Sequence, residues 1–374
     1  MEQQTSSKPA RNIFLRVLNI GLAGLIGWFL GRVIFQGVDG IGFLAFVGLF
    51  VLAIFVHELG HLACALAVHF RVCSFIVGPI TIHWNNARPR IRWGTLKIGG
   101  MVMVTPNGSY DLRRRMLIVG GGGPAASLVG GVSGLVIGRM LPASSTADVF
   151  TAGGVLSLGL GLLSMIPVRR YYSSDGAQIW DLLRSKERGA RKCALLALLA
   201  DLNAGTRPRD WDATLVHRIL ASHDGSGQDV NCYLLGFYWA KDRHDFEAAQ
   251  EYLEAAIARQ KICPASARSS IALDAAFFYA LIRGDSATGR KWLDQCKKRL
   301  ITDRYFLLMS QAAVLLSEGK SSDAQRAAAE AIKALPEAQF AGFAVAAKEW
   351  LEMIANAAQN GRTSIEITAT AAAR

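Results

Sequence analysis

The stretch VGLFVLAIFVHELGHLACALAV, residues 47–68, places two histidines and one glutamate in an apolar run that is otherwise uncharged. On a helix, His57 and His61 are one turn apart and project from the same face, so both imidazoles can reach one metal ion while Glu58 stands beside it. Ionisable side chains are expensive inside a membrane and usually have a function there. The stretch therefore predicts a membrane helix that binds a metal ion.

The composition extends this prediction to the first half of the chain. The chain has 374 residues, of which 51% are hydrophobic, and its mean hydropathy of +0.26 is too high for an ordinary soluble protein of this size. Four apolar windows, at about 13–35, 41–66, 116–140 and 149–168, can each cross a bilayer of about 30 Å. They follow an N-terminal tail, residues 1–12, and belong to a membrane-embedded domain of residues 13–190. A cleaved signal peptide is the rival interpretation of the first window, but the apolar run is too long for one.

The net charge of +12 favours a membrane partner over nucleic acid, because many of the basic residues lie in only some of the connections between the apolar windows. Many arginines lie between the second and third windows, whereas the connections 36–40 and 141–148 contain no lysine or arginine. The positive-inside rule then places both termini in the cytoplasm. We expect an integral protein of a bacterial inner (plasma) membrane, in contact with the lipid bilayer. Trp84 and Trp93 among the arginines are explained by an interfacial aromatic belt.

The loop between the second and third windows changes character. Short runs rich in β-branched and aromatic residues, broken by Gly, Pro and Asn, predict strands and turns over residues 74–104. The apolar tract 99–104 is too short to span a membrane, so we expect it at the membrane surface or beside the metal-binding helix.

The second half, residues 191–360, predicts a soluble, cytoplasmic α-helical domain. A turn residue is followed five residues later by a small residue at three places: His244 with Ala249, Gly284 with Gly289, and Gly319 with Ala324. The last two pairs are 35 residues apart, which resembles the tetratricopeptide repeat. An irregular helical bundle is the alternative. Stacked helix pairs form concave surfaces, so we expect a cytoplasmic protein partner there. Residues 361–374 lack helical periodicity and predict a frayed tail. The fold class is thus mainly α: a polytopic membrane helical bundle with a small β-rich loop, plus a helical repeat-like domain.

Several motifs together resemble the site-2 protease family of intramembrane zinc metalloproteases. His57-Glu58-Leu59-Gly60-His61 matches the HExxH motif of that family, and Ser164-Met165-Ile166-Pro167 followed by Ser174-Asp175-Gly176 is similar to its distal motifs. The segments 122–127 and 99–102 are similar to the Gly-Pro segment and the membrane-associated strand of the family. The resemblance covers about residues 41–183.

The resemblance implies a Zn²⁺ cofactor, a transmembrane protein substrate, and cleavage of that substrate within or near the bilayer. His57, His61 and Asp175 would be the metal ligands, and Glu58 the catalytic base. Ser127, Ser164, Gly100 and Met101 would help to position substrate. Serine stands at 127 and 164 where the family commonly has asparagine, and serine has a shorter reach and no amide pair.

Two other functions and two other residue assignments accompany this interpretation. A catalytically weak or inactive membrane scaffold, whose helical repeats bind partners, is the main alternative function. A metal or small-solute transporter would need more intramembrane ligands than the sequence contains. Asp175 alone is ordinary turn or helix N-cap chemistry, and His69 is a rival third ligand that more simply marks the end of the metal-binding helix.

Overall fold

The computed structural model of the protein describes residues 40–361, apart from 86–87, 94–98, 170–171, 224 and 298–302. The expected N-terminal tail, the first apolar window at 13–35 and residues 362–374 of the expected C-terminal tail lie outside the described residues. The described chain is mainly helical and contains one small antiparallel sheet. This agrees with the predicted fold class at that level.

The secondary structure begins with one long helix and four strands. These elements are α1 (Gly40–Ala67), β1 (Phe70–Val77), β2 (Ile80–Asn85), β3 (Arg88–Trp93) and β4 (Gly100–Pro106). Twelve further α-helices follow within the described residues: α2 (Leu112–Met140), α3 (Ser145–Ser164), α4 (Asp175–Arg184), α5 (Lys186–Ala204), α6 (Ala213–Leu220), α7 (Gly227–Asp242), α8 (Phe246–Arg259), α9 (Ala265–Phe277), α10 (Ser286–Gln295), α11 (Arg304–Ser317), α12 (Ser321–Ala334) and α13 (Ala341–Gln359).

Helices α1, α2 and α3 form the apolar bundle. Their apolar stretches Phe46–Ala67, Leu112–Met140 and Ser145–Ser164 are long enough to cross a membrane. These three stretches coincide, within a few residues, with the second, third and fourth windows of the sequence analysis. The length and composition of these three helices therefore indicate a membrane protein.

Glycines allow the three helices to approach closely. A Cβ atom on Gly122 of α2 would lie 2.5 Å from the carbonyl oxygen of Gly60 in α1. Along α2 and α3, Gly131 faces Leu158 and Gly138 faces Thr151, so the two helices run antiparallel. Small residues at such crossings permit the backbone contact that drives helix association in lipid. Several glycines of α2 thus allow close packing against α1 and α3.

The four strands form one antiparallel sheet in the order β3-β2-β1-β4. Strand β4 pairs with β1 in a register that places Val102 opposite Phe75 and Gly100 opposite Val77. Since β4 is the last strand of the sheet, its outer edge does not pair with another described strand. The strand packs beside α1, as expected for the apolar tract 99–104.

Helix α5 connects the bundle to the second half of the chain. Its Asn203 amide donates hydrogen bonds to Thr105 Oγ1 (2.6 Å) and to the Pro106 carbonyl (3.1 Å) at the end of β4. One residue earlier, Leu202 contacts Gly342 of α13. The helix runs through residue 190, where the sequence analysis placed the domain boundary, and packs against both halves.

Three helix pairs follow: α7 with α8, α9 with α10, and α11 with α12. In each pair the connecting turn contains a residue with left-handed backbone, and a small buried residue follows five positions later. The turn residues are His244 (φ 62°), Gly284 (φ 68°) and Gly319 (φ 76°), and the small residues are Ala249, Gly289 and Ala324. The shared spacing thus corresponds to a shared turn geometry. The tetratricopeptide-like assignment remains a prediction.

The last helix, α13, lies across these helix pairs. Trp350 is buried, and its ring centroid lies 6.5 Å from that of Phe246 in α8 and 5.6 Å from that of Phe277 in α9. The same core cluster contains Ala324 and Ala328 of α12. Helix α13 therefore shares one hydrophobic core with all three pairs.

Candidate metal centre

The two histidines of α1 meet on one face of the helix, as their spacing predicts. Both side chains are buried, and their ring centroids lie 4.9 Å apart with the planes at 80°. The Nε2 atoms of both rings point toward the N-terminus of α4. The pair therefore presents two nitrogen donors to the same space.

Asp175, the first residue of α4, completes the cluster. Its Oδ2 lies 3.1 Å from Nε2 of His57, and its Oδ1 lies 3.3 Å from Nε2 of His61. Burial raises the pKa of Asp175, but hydrogen bonds and charge attraction from the two imidazoles together outweigh it and lower the pKa to about 2. The ionised carboxylate and the two nitrogens lie within 4.8 Å of one another, a spacing that allows them to hold a metal ion. His69, the rival ligand, is not part of this group.

The other nitrogen of each imidazole is held by α2. Nδ1 of His57 lies 2.8 Å from Oγ of Ser127, and Nδ1 of His61 donates to the carbonyl of Val119 at 2.7 Å. A ligand histidine usually makes such a second contact, which fixes its tautomer and its orientation. Ser127 is fully buried behind His57, so its hydroxyl acts on the histidine. The substrate-positioning role that the resemblance implied for Ser127 stays a prediction.

Replacing Ser127 by alanine tests this role. Ser127→Ala is expected to weaken metal binding by about 10- to 100-fold, because Nδ1 of His57 loses its partner and the ring loses its fixed orientation. Titration with a competing chelator measures the change in metal affinity. Ser157→Ala is the matched control, since the Ser157 hydroxyl is also buried but donates to the carbonyl of Ser127 (3.0 Å) and touches neither histidine. Equal metal affinities in the two variants would contradict the assignment.

Asp175 is positioned by the serine before it. Ser174 is the N-cap of α4; its Oγ accepts from the amide of Ala177 at 3.3 Å and donates to the carbonyl of Ile166 at 2.6 Å. The same oxygen accepts from the amide of Val168 at 3.0 Å. Ser174 therefore ties the start of α4 to the chain that leaves α3. The sequence analysis did not assign this role, although serine before an acidic first turn is a recognised helix-start signal.

Glycine at position 123 leaves room for the imidazoles. A Cβ atom there would lie 2.7 Å from Nε2 of His57 and would overlap Nε2 of His61. Gly123 ends a run of four consecutive glycines, Gly120–Gly123, on α2. These glycines differ in their surroundings, because Gly121 faces open space while Gly123 faces the imidazoles of His57 and His61.

Glu58 lies beside the cluster with one free oxygen. The side chain is buried, and its Oε2 has no hydrogen-bond partner within the described chain. A Cβ atom on Gly100 of β4 would lie 2.6 Å from Oε1 of Glu58, and the backbone of Val102 hydrogen-bonds to the carboxylate. A buried polar atom without a partner is costly and is often found at functional sites. Glu58 therefore lies between the group His57, His61 and Asp175 and the edge strand β4 of the sheet.

The remaining predicted site residues lie at different distances from this centre. Gly100 contacts Glu58 directly, and Met101 is the next residue of β4, half-buried and opposite Ile76. Ser164 is the last residue of α3, and its hydroxyl donates to Gly161 of its own helix at 3.1 Å. The structure therefore brings Gly100 to the site and turns the Ser164 side chain toward its own backbone.

Comparison with known protein families gives an independent indication. The model of Peptidase family M50 matches residues 45–153. The match contains His57, Glu58, His61 and the sheet, and it ends before Asp175. It implies a metallopeptidase, and with the three apolar helices it indicates a membrane protein. Comparisons with curated proteins and with solved structures gave no match.

Proposed function

We propose that the protein is an intramembrane zinc endopeptidase that cleaves transmembrane segments of substrate proteins. The observation that carries this proposal is the convergence of Nε2 of His57, Nε2 of His61 and the Asp175 carboxylate beside the unpartnered Oε2 of Glu58. This arrangement lies on an apolar helix long enough to span a membrane. The family match supports the peptidase class and the membrane association.

The donor set suits zinc. Zinc lies about 2.0–2.2 Å from nitrogen and carboxylate ligands, so neighbouring ligand atoms of a tetrahedral site are roughly 3.3 Å apart. The carboxylate oxygens of Asp175 lie 3.1 and 3.3 Å from the two Nε2 atoms. When bound, zinc supplies a Lewis acid that polarises the scissile carbonyl and lowers the pKa of a water molecule to about 7. The residues that would hold it are His57, His61 and Asp175.

Glu58 is the proton carrier in this proposal. Its free Oε2 takes a proton from the attacking water, and the carboxyl group then returns that proton to the leaving amine. The backbone of Val102 hydrogen-bonds to the carboxylate, and Gly100, which has no side chain, leaves room for it. Ser127 and Val119 keep both Nε2 atoms directed at the metal position.

Strand β4 is the proposed substrate-binding strand. Its outer edge does not pair with another described strand, and Gly100 places this edge against Glu58. An extended peptide can add to such an edge through backbone hydrogen bonds, largely independent of its sequence. Gly100 and Met101 would then position an unwound portion of the substrate helix beside the catalytic group. Ser164, whose side chain bonds to its own helix, is not needed in this arrangement.

The second half of the chain is proposed to bind a cytoplasmic protein partner. Its helix pairs repeat one turn geometry, and stacked helix pairs commonly present binding surfaces. The basic residues in the connections of the membrane half favour a cytoplasmic location for both termini. We propose a bacterial inner membrane as the location.

Metal removal tests the proposal. We expect a chelator to abolish cleavage of a single-span model substrate by detergent-purified, full-length protein, and added zinc to restore it, because the three ligands leave one coordination position open. Electrophoresis of the substrate and mass spectrometry of the fragments measure the cleavage and locate the bond. Cleavage that persists after the metal is removed would contradict the proposal. Bound zinc without cleavage of any model substrate would favour the membrane scaffold.

A further inference from the structure

A second candidate site lies in the helical half of the chain, away from the metal cluster. A cavity of about 190 Å³ opens between α7 and α11 on one side and α13 on the other. Phe340, Phe343 and Trp350 line it on the α13 side. Ligand sites are commonly concave and mostly apolar, with a few polar groups that orient the ligand. The polar atoms of this cavity therefore decide what it could bind.

Lys241 supplies a buried positive charge at the cavity. Its side chain lines the cavity and is only 8% exposed. The ammonium nitrogen lies 4.8–5.4 Å from the ring centroids of Phe277, Phe237 and Tyr238. Lys241 makes no hydrogen bond or ion pair in the part of the chain that the structure describes. Ring faces attract a cation but satisfy none of its three N–H donors with an oxygen.

Two nearby carboxylates attract Lys241 but do not accept a hydrogen bond from it within the described chain. Asp242 accepts from Arg207 at 2.6 and 3.0 Å and from the amide of Arg209 at 2.9 Å. Asp274 accepts from the hydroxyl of Tyr238 at 2.7 Å through Oδ2, while its buried Oδ1 has no hydrogen-bond partner in the described chain. A buried ammonium group is normally hydrogen-bonded to an oxygen, because the loss of its hydration is otherwise uncompensated. The described residues provide no such acceptor for Lys241, and a bound anion would provide one.

Two further polar groups line the same cavity. Tyr305 is buried, and its hydroxyl makes no hydrogen bond within the described residues. Asp303 accepts from the amide of Gln339 through Oδ2 at 3.3 Å, while its buried Oδ1 has no partner in the described chain. Lys241, Tyr305 and Asp303 thus line the cavity together with its aromatic rings.

We propose that this cavity binds a small carboxylate that carries an apolar body and a hydroxyl or amino group. The ligand carboxylate pairs with Lys241, and its apolar body packs against Phe340, Phe343 and Trp350. The hydroxyl or amino group of the ligand lies toward Asp303 and Tyr305, which line the same cavity. The helical half is then a small-molecule receptor, a property that does not depend on the proposed proteolytic function.

Isothermal titration calorimetry on the full-length, detergent-purified protein tests the proposal, with 3-phenyllactate as the probe. This probe combines a carboxylate, a hydroxyl and a phenyl ring. We expect saturable binding of one probe per chain, and binding at least about tenfold weaker for 3-phenyllactamide, which has no charge. Because this comparison uses only the wild-type protein, it does not depend on the folding of a variant. Equal binding of the acid and the amide would overturn the proposal, as would no binding of the acid at about 10 mM.

Two lysine variants locate the site. Lys241→Met keeps an apolar chain of similar length against the three rings and should weaken binding at least about tenfold. Lys348→Met is the matched control, since Lys348 lies on α13, is 61% exposed and does not line the cavity. It should bind like the wild type. Binding that is unchanged in Lys241→Met, or lowered equally in both variants, would overturn the assignment of the anion to Lys241.

Discussion

Glu58→Gln is expected to slow cleavage of a model transmembrane substrate by about 10²- to 10⁴-fold while zinc remains bound. The amide has nearly the same shape as the carboxylate but cannot accept the proton of the attacking water. Glu58 is not one of the three groups that converge as ligands, so the metal site should survive the change. Initial cleavage rates and the zinc content of the same preparation, measured side by side, check both parts.

The control for this prediction is a glutamate far from the centre. Glu352→Gln removes a charge from α13, where the side chain is 54% exposed and its oxygen lies 3.8 Å from Nζ of Lys348. Such exposed pairs contribute little to stability, so this variant should cleave like the wild type. Zinc retention together with wild-type cleavage in Glu58→Gln would contradict the role of Glu58 as base. Loss of zinc in Glu58→Gln would instead mean that Glu58 contributes to metal binding.

The meeting of His57 and His61 on one helix face could be predicted because its signal is local. His57, Glu58 and His61 lie within five consecutive residues, and the period of an α-helix alone puts the two imidazoles on one face. The apolar surroundings of the motif indicated a functional site, since ionisable groups in a membrane helix are costly and usually have a function. The three apolar helices followed from length and hydropathy in the same way.

The position of Asp175 beside the histidines could not be predicted from its neighbouring residues. Asp175 lies 118 residues after His57, and its own neighbourhood reads as a helix start, which is also what the structure contains: Asp175 is the first residue of α4, with Ser174 as the N-cap. Only the resemblance to a protease family selected it as a ligand. The first residue of a helix can thus also lie beside the two imidazoles, so helix-start chemistry is no argument against the proposed metal-binding role.

The supporting contacts could not be predicted for a different reason. The partner of His61 is the backbone carbonyl of Val119, and a carbonyl has no sequence signature. Ser127 was identified from its motif position, but its direction, behind His57, depends on how α2 packs on α1. The burial of Lys241 beside a cavity likewise depends on how α7 and α13 pack. Each of these facts is a property of packing between distant segments.

Gly123→Ala should lower zinc affinity more than a methyl group added at any other glycine of α2. The added Cβ would overlap Nε2 of His61 and lie 2.7 Å from Nε2 of His57, so at least one imidazole must turn away from the metal position. We expect zinc affinity to fall by about 100-fold or more, the upper end of what misplaced ligand histidines cost, and cleavage to fall with it. Competition with a zinc-selective chelator and the cleavage assay measure the two effects.

Gly121→Ala is the matched control for this prediction, because it adds the same methyl group two residues earlier on the same helix. A Cβ atom at Gly121 has no neighbouring atom within 4 Å, and alanine is about 1 kcal/mol more favourable than glycine in a helix interior. This variant should bind zinc and cleave like the wild type. If both variants lost zinc equally, the effect would come from the helix and not from the imidazoles. If neither did, α2 would have moved enough to admit the methyl group, and the close contact between Gly123 and the histidines would not limit metal binding.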